Sequence, residues 1–217
     1  MSARFGQPTH PGWRFWLFWM LATFVGAAAG LVLSFPLQSI LETILGREGA
    51  GPWTAAEHAL IVVLKGAQGG VIGMGMGLGQ WLIFRKHLKQ TAGGWVLATG
   101  LAFLLQGAFR WSLPFDTPAE QVFVSITLSF GIFLGLCQWL VLRGRVPYAG
   151  WWIVINIAGW VATFAVHAVS EYAQFSIESF LGMVLTAVGL LVPFAVAGVG
   201  MVWLLRRTAP ASQGIAS

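Results

Sequence analysis

Ala59-Leu-Ile-Val-Val-Leu-Lys65-Gly66-Ala-Gln68-Gly69-Gly70-Val-Ile-Gly73-Met-Gly75-Met-Gly77-Leu-Gly79-Gln80-Trp81-Leu-Ile-Phe84-Arg85 carries a single charge, Lys65, before it reaches Arg85. A bilayer core about 30 Å thick is crossed by about 20 predominantly apolar helical residues, and this run is longer than that. Gly69, Gly73 and Gly77 recur every four residues, a small-residue stripe that lets membrane helices approach closely. The same reading extends to the whole chain. Only 9% of the 217 residues are charged, 57% are hydrophobic and the mean hydropathy is +0.78, whereas soluble domains hold about 25% charge.

The charges cluster between apolar runs. This predicts an all-α integral membrane bundle of six transmembrane helices, over about 13–35, 58–84, 94–112, 120–142, 150–169 and 177–205. Between the first two, Leu37, Ile40, Leu41, Ile44 and Leu45 repeat with helical period between Pro36 and Gly46. That predicts a short helix over about 36–46 lying in the interface. Residues 1–12 and 208–217 read as tails of one domain over 13–207. The first apolar run, Phe15 to Phe35, exceeds the about 7–15 residues of a signal-peptide core and reads as a retained helix. Cys137 is the one cysteine, so no intrachain disulfide forms, and no Cys/His spacing suggests a metal site.

Lys/Arg bias sets membrane orientation. Arg4, Arg14, Arg85, Lys86, Lys89, Arg143, Arg145, Arg206 and Arg207 sit at the termini and in the even-to-odd connections. Glu42, Glu48, Glu57, Asp116, Glu120, Glu171 and Glu178, all the acids present, fall in the odd-to-even connections. Both termini and the 85–93 and 143–149 loops are therefore expected in the cytoplasm, the chain residing in a bacterial inner membrane. The formal charge of +5 is juxtamembrane anchoring rather than a nucleic-acid surface.

The chain repeats itself. Gly77-Leu-Gly-Gln80-Trp81-Leu82-Ile-Phe-Arg85 matches Gly135-Leu-Cys-Gln138-Trp139-Leu140-Val-Leu-Arg143, and Ala92-Gly-Gly-Trp95 then matches Ala149-Gly-Trp-Trp152. Weaker echoes are Gly12-Trp13 and Trp203-Leu-Leu-Arg-Arg207. Three hairpins crossing in the same sense would make a pseudo-threefold axis along the membrane normal; duplication of one four-helix stretch is the alternative. The Gly-x-x-Gln-Trp-Leu-[Val/Ile]-x-Arg segment resembles one found repeatedly in uncharacterised bacterial multi-pass membrane proteins, many from phototrophic bacteria. The resemblance covers the middle helices well and the ends poorly. It implies a fold family and no activity.

Polar residues within the apolar runs are the candidate functional positions. Lys65, Gln68, Gln106, Arg110, Thr163 and His167 fall in the outer third, since Lys65 stands about 28 Å of helix above Phe84. The repeat maps Gln106 and Arg110 onto Thr163 and His167. Together they predict an outward-facing polar cup attractive to anions, with simple snorkelling or mutual hydrogen bonding as the plainer account. Gln80, Gln138 and Asn156 form an inner layer, about 7 Å inside the cytoplasmic boundary, whose expected role is interhelical hydrogen bonding. Gly69, Gly73 and Gly77, with Gly131 and Gly135, are expected to pack helices. Trp81 with Arg85, and Trp139 with Arg143, are expected to anchor the interface. His58 and His87 are placed in loops. No nucleophile, base and acid converge.

The expected function is therefore non-enzymatic: an accessory or scaffolding membrane subunit packing against lipids, other membrane proteins or copies of itself. A small-solute or ion transporter using the cup is the alternative, and a pigment-binding subunit of a photosynthetic complex is another.

Overall fold

The computed structural model describes residues 11–46, 53–85, 88, 92–113, 119–172 and 180–208. Seven helices occupy them: α1 (Trp13–Leu33), α2 (Phe35–Leu45), α3 (Ala55–Phe84), α4 (Ala92–Ser112), α5 (Ala119–Leu142), α6 (Trp151–Tyr172) and α7 (Phe180–Thr208). The described residues contain no strand. α1, α3 and α7 are each long and apolar enough to cross a membrane, and α5 and α6 contain shorter apolar stretches, Thr127–Leu142 and Trp151–Val166.

The helix limits have local causes. Thr54 Oγ1 accepts the Glu57 N–H at 3.2 Å while the Glu57 carboxylate accepts the Thr54 N–H at 2.9 Å. This reciprocal cap satisfies two otherwise orphaned donors and starts α3 at Ala55, ahead of the expected start near residue 58. It corrects the placement of His58, which lies in the first turns of α3 rather than in a loop. The His58 imidazole meets the Trp111 carbonyl at 2.7 Å, tying the start of α3 to the end of α4. A single residue, Ser34, separates α1 from α2, its hydroxyl bonded to the Leu31 carbonyl at 2.7 Å. Gly144 adopts φ +78 just past α5, the left-handed stop that glycine makes without a Cβ penalty.

Each of the six longer helices packs on the next, α7 returns to α1, and α2 rests on α1 and α3. Glycine makes these approaches possible. A Cβ added at Gly69 would meet the Phe103 carbonyl oxygen at 2.5 Å, at Gly73 the Thr99 carbonyl oxygen at 2.7 Å and at Gly77 the Thr99 side chain at 2.9 Å. All three glycines face α4. Gly131 and Gly135 do the same against α6, with Ile157 Cα at 2.8 Å and Ile153 Cα at 2.9 Å. A second stripe on α3, Gly75 and Gly79, lies against the backbone of α1 at Gly26, Gly30 and Ala22. α3 is thus smooth on two sides, which is why it sits between α1 and α4.

Candidate functional site

One end of the bundle is filled with aromatic rings. Trp19 of α1, Trp95 of α4 and Trp152 of α6 form a triangle with ring centroids 5.8–6.4 Å apart, and Phe84 packs edge-on to Trp95 at 4.8 Å. Each of the three indoles is at most 1% exposed. Buried indole N–H groups need acceptors, and the repeated glutamines supply two. Trp95 donates to Gln80 Oε1 at 3.0 Å and Trp152 to Gln138 Oε1 at 2.9 Å. Gln138 in turn donates from Nε2 to Thr99 Oγ1 at 2.9 Å and, more weakly, to Gln80 Oε1 at 3.4 Å. Four helices are joined by this chain of side-chain bonds.

One turn beyond each tryptophan stands a buried polar residue bonded back to its carbonyl. Thr23 reaches Trp19 O at 2.7 Å, Thr99 reaches Trp95 O at 2.9 Å, and Asn156 reaches Trp152 O at 2.8 Å. The expected inner layer of Gln80, Gln138 and Asn156 therefore also includes Thr23 and Thr99. Sequence reading passed over these two; the signal was Trp-x-x-x-[Thr/Asn], present at 19–23, 95–99 and 152–156.

The third indole is the exception. Among the described residues, Trp19 Nε1 has no hydrogen-bond partner. Gly198-Val-Gly-Met201 stands in α7 with the burial phase of Gly77-Leu-Gly-Gln80 and Gly135-Leu-Cys-Gln138, exposed at its second position and buried at its fourth. A Cβ at Gly198 would meet Trp19 at 3.0 Å. Met201, fully buried in the same cluster, matches the two glutamines in burial phase, one residue out of register with the Trp203–Arg207 echo, and its side chain brings no carbonyl oxygen.

At the other end lies a cleft of about 310 Å³ between α3, α4 and α5. Lys65, Gln68, Gln106 and Arg110 line it together, over a wall of Ile72, Phe103 and Phe130. Lys65 Nζ donates to Gln68 Oε1 at 3.2 Å and to Gln38 Oε1 at 3.3 Å, and Gln68 Nε2 shares that Gln38 oxygen at 3.1 Å. Gln38, from α2, was not anticipated. The Trp111 ring lies 5.3 Å from the Lys65 ammonium and 5.7 Å from the Arg110 guanidinium, within cation–π range of both. Gln106 accepts the Ser129 hydroxyl at 2.7 Å.

Comparison with family models, curated proteins and solved structures finds no match to this chain.

Thr163 does not belong to the cleft, which corrects the expectation that grouped it with Arg110. Pro193 has no N–H, so the Gly189 carbonyl four residues earlier in α7 loses its helical donor. The Thr163 hydroxyl lies 3.1 Å from that carbonyl and 3.1 Å from its own Gly159 carbonyl. Gly159 packs against the proline itself, where an added Cβ would meet Pro193 Cα at 3.0 Å. Thr163 therefore repairs a proline break. The His167 side chain lies outside the described residues, as do those of Glu120 and Glu171.

The Trp–Arg pairs form along single helices. Arg85 lies 5.7 Å from the Trp81 ring and Arg143 5.6 Å from Trp139, with Arg207 over Trp203 at 4.9 Å. Trp81 Nε1 is buried without an acceptor among the described residues.

Proposed function

We propose that the chain is a six-span protein of the bacterial inner membrane, with both termini cytoplasmic, acting as a non-enzymatic packing subunit. The carrying observation is the filled indole layer. Trp19, Trp95, Trp152, Phe84, Leu142 and Met201 close one end of the bundle with side chains essentially inaccessible to solvent. A conduit would have to break the Trp–Gln bonds that join α3, α4, α5 and α6. The outer faces of α1 and α7 suit hydrocarbon and other helices: Phe18, Leu21, Val25 and Val32 of α1 and Phe180, Met183, Leu190 and Val199 of α7 are all exposed. A shared layout of indole and small polar residue on α1, α4 and α6 supports the pseudo-threefold arrangement of hairpins.

Gentle solubilisation followed by native-size analysis tests this. Recovery as an assembly, with itself or with other membrane proteins, is expected; recovery solely as a free monomer would overturn it. The transport alternative draws on the cleft, and there the sealed layer weighs against passage. Reconstituted vesicles showing ion or solute flux that Arg110→Ala abolishes would reverse that judgement.

A further inference from the structure

Arg110 is half-buried in the wall of the cleft, and its described contact is the Trp111 ring. A guanidinium has five N–H donors in a fixed fork that matches phosphate or carboxylate oxygens. Among the described residues none of those donors is bonded, and no carboxylate pairs with either Arg110 or Lys65. Two cations, from α3 and α4, therefore border one cavity with no carboxylate paired to them among the described residues, where a low-dielectric surround makes unpaired charge costly.

The rest of the wall is of another kind. Ile72, Phe103 and Phe130 are apolar, Phe103 meets Phe130 edge-on at 4.8 Å, and Phe130 stacks on Trp160 at 4.3 Å. A charged rim running into an aromatic wall suits a molecule with an anionic head and a hydrocarbon tail. About 310 Å³ is at the lower end for ligand pockets, which run from about 300 to 1,000 Å³. It holds a headgroup and the start of one chain, the rest of the molecule extending out between helices.

We propose that this cleft binds an anionic amphiphile, a phosphate or carboxylate carried on an alkyl chain. Arg110 and Lys65 take the charge, Gln38 and Gln68 hold Lys65 in place, and Phe103 with Phe130 receives the first methylenes. The proposal deepens the packing-subunit reading by naming a lipid class as one of its partners. It shares with that reading only the membrane location.

Native mass spectrometry of the full chain, purified from membranes and exposed to equal amounts of phosphatidylglycerol and phosphatidylcholine, tests it. Wild type is expected to retain the anionic lipid with about tenfold preference, about 1.4 kcal/mol, because the choline cation offsets the phosphate charge of the competing lipid and is repelled by Lys65 and Arg110. Lys65→Gln/Arg110→Gln should lose that preference, whereas Arg143→Gln/Arg145→Gln, equal in charge change at the other end, should keep it. Arg110→Gln alone is the second variant if the double one does not fold, and it should lose most of the preference. Equal retention of both lipids by wild type, or full preference in the cleft variants, overturns the proposal. Millimolar inorganic phosphate should leave the lipid adduct intact; displacement would mean that the cleft takes the free anion, and the amphiphile assignment would fail. Adducts are counted on protein recovered from membranes in any oligomeric form, so a failed lipid preference is distinct from a failed packing role.

Discussion

Trp19 brings an indole N–H into the packed end of the bundle where no described residue accepts it, while Trp95 and Trp152 each have a glutamine. Met201→Gln is expected to supply the missing acceptor and to stabilise the fold by about 1 kcal/mol, the worth of an interhelical hydrogen bond in a membrane. Denaturation by titrated SDS measures it; a destabilised variant would show that Met201 does not stand where the glutamines stand. Gln138→Leu should act in the opposite direction. It strands the Trp152 donor and removes the bond to Thr99, for a loss of about 1–3 kcal/mol. Thr163→Val should cost about 1 kcal/mol, because the Gly189 carbonyl freed by Pro193 loses its donor. That cost should shrink in a Pro193→Ala background, where the helix can bond the carbonyl itself, and a double-mutant cycle reads the difference. The glutamines were legible as candidates because the repeat prints them twice. Thr163 was misread because a proline thirty positions downstream in the chain, across a helix interface, decides what its hydroxyl does.

Between elements the decisive atoms are absent ones. Gly79 lies so close to the Ala22 carbonyl of α1 that an added Cβ has no room, and the obstacle is backbone, which cannot rotate away. Gly79→Ala should therefore cost about 2 kcal/mol or more, the α1–α3 contact having to open. Gly93→Ala is the matched control. No atom of another element lies within 4 Å of its Cβ position, so the substitution should cost nothing and add roughly a few tenths of a kcal/mol of helix propensity in the first turn of α4. Thermal unfolding in detergent separates the two. A glycine stripe every four residues announced that α3 packs tightly on something. It did not announce two partners, since Gly75 and Gly79 differ from Gly73 and Gly77 only in which way the helix turns them.

At the scale of the whole molecule, the charge distribution makes a direct prediction. In a Cys137→Ala background, Ser112→Cys should react with a membrane-impermeant maleimide added to intact cells, and Gly150→Cys should react only after the membrane is opened. Ser112 is exposed at the end of α4, and Gly150 is exposed in the turn before α6 with open space where a side chain would stand. Labelling of Gly150→Cys from outside would invert the orientation and place the cationic cleft in the cytoplasmic half.

Helical content, the apolar lengths of α1, α3 and α7, the repeat and the sorting of charges were all available from the amino-acid order, because hydropathy and charge accumulate along a chain residue by residue. Which side chains meet was not. The Trp19–Trp95–Trp152 triangle, the orphaned Trp19 donor, the Thr163 bond to Gly189 and the arrival of Gln38 beside Lys65 each join helices far apart in sequence. Such meetings depend on how each helix is rotated about its own axis. That rotation is set by the close glycine contacts of all the helices at once, so only the packed structure could decide it.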